Sequence, residues 1–304
     1  MLSGLLWRNS TTSLTLSTLA PRGSRARALA GALRLVNPSG EGVVLVHGNG
    51  PQVGMILLRI EATRDRIPPE PLDVLVAETQ GSIGYLLART IRSASAHPHQ
   101  DVAAVMTQVV VDGSDPAFAR PTKPVGPFYS EEEALRLREK VGWDLAPGAK
   151  GWRRVVPSPR PREVVEMGLI REAVAEGHLV IAGGGGGVPV RRGRGRELFG
   201  VEAVVDKDLT SSLMAVGLGA ERLVILTEVD AVYRDFGGEG AEPIPHLRPE
   251  EARDILDLLP PGSMGPKVEA ALAFAEATGR GALITDVDHL GRALVGRAGT
   301  WILP

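Results

Sequence analysis

Short, fully apolar runs alternate along the chain with longer segments of helical period, and two of the runs end in glycine-rich turns. Val43-Val44-Leu45-Val46 predicts a buried strand that breaks into His47-Gly48-Asn49-Gly50-Pro51-Gln52-Val53-Gly54. Leu179-Val180-Ile181-Ala182 predicts a second, running straight into Gly183 to Gly187. Ala77 to Arg92 reads as a helix and Asp101 to Val111 as a strand, with Val102, Ala104, Met106, Gln108 and Val110 on one face. Leu223 to Thr227 and Ala282 to Thr285 read as later strands. Apolar on both faces and interleaved with helices, such strands predict an α/β fold: a mainly parallel sheet with helices on both sides, a three-layer αβα sandwich.

Two segments break this rhythm. Met1 to Gly40 holds Arg8, Arg22, Arg25, Arg27 and Arg34, many Ser and Thr, and no acid. That composition is similar to an organellar transit peptide, and a frame-shifted start is the other reading. Apolar periodicity from Ala28 to Val36 predicts that order resumes as a helix near Arg25. Asp112 to Pro161 is rich in proline, glycine and charge around a predicted helix, Glu131 to Lys140. An insertion this long reads as a protruding lid, about 113–160, or as a surface decoration, and its removal should leave a folded core. The expected division is therefore 1–40, an atypical segment; 41–182, a first lobe bearing the protrusion; and 183–304, a second lobe.

With 304 residues, 43% apolar, the chain can bury a large core. A net charge of −2 excludes the basic footprint of a nucleic-acid binder, and no apolar run approaches membrane-spanning length. The absence of cysteine removes disulfides, thiolate metal sites and thiol nucleophiles.

Candidate chemistry sits at three turns. Asp206-Lys207-Asp208 opens a predicted helix. A lysine between two carboxylates suits phosphoryl transfer, since it can follow negative charge between donor and acceptor oxygens while the aspartates hold it or a nucleotide's magnesium. Helix caps would use the same residues. The five glycines suit close approach of backbone N–H groups to an anion, against the alternative of a linker. Gly262-Ser263-Met264-Gly265-Pro266-Lys267 puts Lys267 in a first helical turn, where a cation opposes the macrodipole and needs an anionic partner.

Together with Thr79-Gln80-Gly81-Ser82-Ile83-Gly84-Tyr85, Thr122-Lys123-Pro124-Val125-Gly126-Pro127-Phe128-Tyr129 and Val155-Val156-Pro157-Ser158-Pro159, these motifs make the chain from about Gly42 onward resemble the carbamate kinases of the amino acid kinase superfamily. The resemblance implies the amino acid kinase fold with its protruding subdomain, and reversible phosphoryl transfer between ATP and carbamate in arginine breakdown. By it, Lys123 serves carbamoyl phosphate, Lys207 and Lys267 the moving phosphoryl group, and Asp206 and Asp208 organise them. It further implies substrate contacts at Gly48, Asn49, Gly50 and Gln52. Nucleotide contacts fall at Gly183, Gly184, Gly185, Thr227, Val229, Asp230, Tyr233, Met264 and Gly265, besides the two lysines. Mg2+ with the nucleotide, a cytoplasmic location and a homodimer complete the expectation.

One departure stands out. The family opens with a strand and a Gly-Gly-Asn-Ala turn, and Met1 to Gly40 contains no such turn. Leu6-Trp7-Arg8-Asn9-Ser10 occupies about its place, and a one-base frame change there could yield a glycine pair. Two other readings stay open: a different kinase of the superfamily, or a nucleotide-binding protein impaired in catalysis.

Overall fold

The computed structural model describes residues 12–16 by their backbone and 31–37, 40–94, 99–238, 240–259 and 263–304 in full. Among them an eight-stranded sheet runs in the order His246–Leu247, Thr300–Ile302, Ala282–Thr285, Arg222–Leu226, Thr12–Leu16, Val43–His47, Leu179–Ile181, Val102–Ala104. From Ala282–Thr285 to Val102–Ala104 all neighbours are parallel; Thr300–Ile302 pairs antiparallel to Ala282–Thr285.

Alternation along each strand explains the continuous apolar runs. Val43 and Leu45 join a core with Leu179, Ile181, Ile83 and Leu87, below helix Leu72–Ala94 and the helical residues 31–36. Val44, Val46 and Val180 face the other way, into a core with Met214 of helix Lys207–Leu218. On that same side Leu223, Ile225 and Ile284 meet Phe274 of helix Gly265–Thr278. Both faces are covered, so neither can carry polar positions. The αβα sandwich read from the sequence is the observed architecture.

Three expectations change. Order does not wait for Arg25: Thr12–Leu16 lies inside the sheet, with Thr12 opposite Val43 on one side and Arg222 on the other. Thr12–Leu16 holds only two strongly apolar residues, and two parallel partners make it a strand nonetheless. The frame-change site at Leu6 to Ser10 lies outside the described residues. Residues directly after the strand read Ser17-Thr18-Leu19-Ala20, without glycine, and these too lie outside them.

The strand expected over Asp101 to Val111 is two strands in two sheets. Val102–Ala104 edges the main sheet, whereas Gln108–Val111 pairs parallel with Val188–Arg192 and antiparallel with Pro161–Val164. Between them the Gln80 side chain bonds the backbone of Thr107, accepting its N–H at 2.7 Å and donating to its carbonyl at 3.1 Å. The Thr107 carbonyl also accepts the Val188 N–H at 2.8 Å, so the chain changes partners here, from Leu179–Ile181 to Val188–Arg192.

The protrusion has a sheet of its own and is tied into the core. Lys123–Tyr129, Gly151–Val156 and Leu145–Gly148 form an antiparallel sheet, and Ser130 closes a capping box on helix Glu131–Val141. Its base is core: Val125 and Val156 bury with Val53, Leu57, Leu72 and Leu75. Removing 113–159 would therefore strip a buried cluster, and the expected free-standing remainder is withdrawn.

Candidate active site

Because the central strands are parallel, their carboxyl ends share one edge of the sheet, where ligands bind in open α/β folds. The Val43–His47 strand delivers Gly48 and Asn49 to that edge, and Leu179–Ile181 delivers the glycine run. A cavity of about 370 Å³ opens there, lined by Gly48, Asn49, Gly50, Gly185, Ser263 and six charged residues: Lys123, Arg153, Asp206, Lys207, Asp208 and Lys267.

The acids and lysines interlock. Asp206 is the N-cap of helix Lys207–Leu218, its Oδ1 accepting the Asp208 N–H at 2.9 Å. Its Oδ2 accepts the Lys123 ammonium at 2.8 Å, from the protrusion. Lys207 Nζ donates to both Asp208 oxygens at 2.9 Å, and Lys267 Nζ reaches the same carboxylate at 3.2 Å and the Ser263 carbonyl at 2.9 Å. Asp206 is thus at once a helix cap and the partner of a lysine. The anionic partner that Lys267 needs at a helix start is Asp208, itself buried.

Electrostatics follow from burial and pairing. Burial would raise the Asp206 carboxyl, but the Lys123 and Lys207 ammoniums outweigh it and hold it below the usual carboxylate range. Burial pushes the Lys267 ammonium below its ordinary value, with Asp208 opposing and Lys207 adding to the effect. Four cations against two carboxylates leave a net positive cavity, suited to a polyanion.

Glycine is required at the run for a packing reason. Gly185 has φ 68°, and a Cβ there would fall 2.1 Å from the Asn49 Nδ2 atom. At Gly186, φ 96°, it would fall 2.0 Å from the Val205 carbonyl oxygen. Losing side chains lets the turn nest between Asn49 and the segment leading to Asp206. The turn is pinned: Gly183 N–H donates to Thr107 Oγ1 at 2.8 Å, and Gln80 Nε2 donates to the Gly184 carbonyl at 3.0 Å.

Of the expected residues, Lys123, Asp206, Lys207, Asp208, Lys267, Gly48, Asn49, Gly50 and Gly185 meet at this cavity. Gln52, Gly183, Gly184, Thr227, Val229, Asp230, Tyr233, Met264 and Gly265 are not among the residues lining it. Gly183 and Gly184 shape the turn from behind, and Met264 and Gly265 start the helix that carries Lys267. Gly262 of the same motif lies outside the described residues. Thr227 follows the Arg222–Leu226 strand, its N–H donating to the Thr285 carbonyl at 2.8 Å. Asp230 accepts the Tyr233 hydroxyl at 2.7 Å, and the Thr285 hydroxyl donates to the Asp230 carbonyl at 3.1 Å. This second group stands at the carboxyl ends of its own parallel strands, and Tyr233 borders a separate cavity of about 580 Å³.

Sequence reasoning missed Arg153, Gln80 and Thr107 as parts of the site. Gln80 was legible only as a motif letter; its contacts cross 27 and 104 residues of chain. Among the described residues no group of three or more His, Cys, Asp or Glu side chains could hold a metal ion.

Known proteins resemble this chain in sequence and in fold. The model of the amino acid kinase family matches residues 13–286, so the match begins in the segment set apart above rather than at Gly42. A carbamate kinase of Halobacterium salinarum is 46% identical over 87% of this chain and 86% of its own length. One of Pyrococcus furiosus is 44% identical over 86% and 85%. The solved carbamate kinase of Giardia lamblia bound to AMP-PNP superposes with a TM-score of 0.86 at 35% identity, covering 98% of this chain and 99% of that one. The chain belongs to the amino acid kinase family and, within it, groups with the carbamate kinases.

Proposed function

We propose that the chain transfers a phosphoryl group reversibly between ATP and carbamate, giving ADP and carbamoyl phosphate. The observation that carries this is the meeting of Lys123, Lys207 and Lys267, from three distant segments, around two aspartates in one cavity. Phosphoryl transfer passes through a loose transition state with charge spread over equatorial oxygens, and catalysis is positioning plus charge stabilisation. Three fixed ammoniums supply that stabilisation without a protein nucleophile. Carbamate is already an anion, so no general base has to act on it.

Lys207 and Lys267 share Asp208, which supports assigning them together to the moving phosphoryl group. Lys123, carried by the protrusion, serves the carbamoyl phosphate side. Magnesium enters as part of the nucleotide substrate: Asp206 and Asp208 are each engaged by lysines, and this donor set fits a metal arriving on phosphate better than a resident ion. The nucleotide base and ribose are assigned to the Thr227, Val229, Asp230 and Tyr233 group. Arginine breakdown in the ATP-forming direction is the metabolic setting we infer. Homodimer formation is supported by Met55, Leu58, Val74 and Tyr85, exposed on the first two long helices, and sedimentation tests it.

The missing glycine pair after Leu16 favours a second reading, a slowed enzyme, since removing oxyanion donors costs about a hundred- to a thousandfold in rate. A coupled assay of ATP formation from ADP and carbamoyl phosphate decides between the readings. ATP consumption with carbamate, glutamate, aspartate and uridylate in parallel identifies the acceptor. Turnover with another acceptor and none with carbamate would overturn the assignment.

A further inference from the structure

We propose that Arg153 grips an oxyanion of the substrate other than the nucleotide and sets the affinity for it. This deepens the transfer reading above and rests on it. Each lysine of the cavity already has a carboxylate: Asp206 for Lys123, and Asp208 for Lys207 and Lys267. Arg153 lines the same cavity and, among the described residues, has no carboxylate partner. Its neighbour Arg154 takes the opposite course, pairing with Glu202 at 2.7 Å and stacking 4.5 Å over Trp143. Of two adjacent arginines one is closed and one is open.

The open one is held ready. Arg153 Nη2 donates to the Gly126 carbonyl at 2.9 Å, and its guanidinium lies 5.1 Å from the centre of the Phe128 ring. Its Nε is buried and has no acceptor. Because Nε is out of solvent's reach, an incoming anion would be taken by the two Nη groups, of which only Nη2 is engaged among the described residues, at the Gly126 carbonyl. The planar fork matches a carboxylate or phosphate with two parallel hydrogen bonds, which an ammonium cannot do. Burial lowers the guanidinium's proton affinity from its ordinary value, yet it stays a cation at neutral pH. Arg153 sits on Gly151–Val156, paired to the strand that carries Lys123, so it approaches from the protrusion. Lys207, Lys267 and Gly185 approach from elsewhere in the chain. The two cations of the protrusion therefore address the small substrate together.

Steady-state kinetics and calorimetry on Arg153→Gln and Arg153→Lys test this. We expect the Gln variant to raise KM for carbamoyl phosphate about tenfold or more while the ADP Kd stays within about twofold. The Lys variant should fall between, keeping the charge and losing the fork. Repeating the measurement with ATP and carbamate, supplied as ammonium bicarbonate, tells the two ends apart. A matching rise in the carbamate KM assigns Arg153 to the carbamate oxygens; a rise confined to carbamoyl phosphate assigns it to the phosphate. An unchanged KM for carbamoyl phosphate, or an equal loss of ADP affinity, overturns the proposal. Wild-type protein that does not turn over carbamoyl phosphate would refute the function but not this site, which is then read by titrating inorganic phosphate. Binding lost in Arg153→Gln supports the assignment, and binding retained overturns it. Should the Gln variant not fold, Arg153→Lys carries every arm.

Discussion

Lys123 and Asp206, 83 residues apart in sequence, meet at 2.8 Å, joining the protrusion to the cap of the helix that begins with Lys207. One carboxylate thus both starts the helix and fixes a cation arriving from another sheet. Removing either partner should be felt at both. Lys123→Ala is expected to raise KM for carbamoyl phosphate and lower turnover, with ADP binding barely changed. The double variant Lys123→Ala/Asp206→Asn should lose less than the sum of the singles, because the two side chains act as a unit. Calorimetry with ADP and steady-state kinetics with carbamoyl phosphate check it; additive losses would separate the pair.

Lys207→Ala should reduce turnover by about two or more orders of magnitude while ADP affinity stays within a few fold. A charge aimed at the moving phosphoryl group acts in the transition state more than in the ground state. Loss of ADP affinity with turnover retained would contradict the role assigned here.

Lys267 is expected to set the alkaline limit of activity. Burial lowers its ammonium below the ordinary lysine value, so turnover should fall as pH rises through that lowered value, earlier than a solvent-exposed lysine would titrate. The linkage to stability has the opposite sign. Between the folded and unfolded values the unfolded chain binds more protons, so Lys267's contribution to stability rises with pH there. Lys267→Arg should move the alkaline limb of the pH–rate profile upward, since guanidinium does not titrate in this range. A limb that stays in place assigns it to another group.

Gly186→Ala should destabilise by about 2 kcal/mol or more, from a positive φ that alanine resists together with a contact to backbone rather than to a movable side chain. A thermal melt reads it. Gly195→Ala, also at positive φ (66°) but with nothing near the added methyl, should cost less, by the conformational strain alone. Equal losses at the two sites would remove the packing argument.

The amino-acid sequence by itself determined the architecture and named most of the charged residues that meet in the cavity. Val43 to Val46 and Leu179 to Ala182 are apolar at every position because both of their faces are covered, and periodicity registers that directly. Ala282 to Thr285 appears where it was expected, as does the helix from Glu131, because propensity and a capping box are local. The lysines were legible as Lys123, Lys207 and Lys267 because each sits in a short motif beside a turn.

Partnership was decided only by the tertiary structure. Nothing near Lys267 in sequence names Asp208, 59 residues away, and nothing distinguishes Arg153 from Arg154 until one strand turns them toward different surroundings. Thr12–Leu16 is weakly apolar as a string and becomes a strand because Val43–His47 and Arg222–Leu226 both offer it a parallel edge. Conversely, Asp101 to Val111 alternates like one strand and is divided between two sheets, with the Gln80 side chain, from a helix packed nearby, bonded to Thr107 where the partners change. Local pattern encodes which face of an element is buried. Which distant carboxylate, carbonyl or strand edge a residue meets is set by register and packing, and these depend on the whole fold.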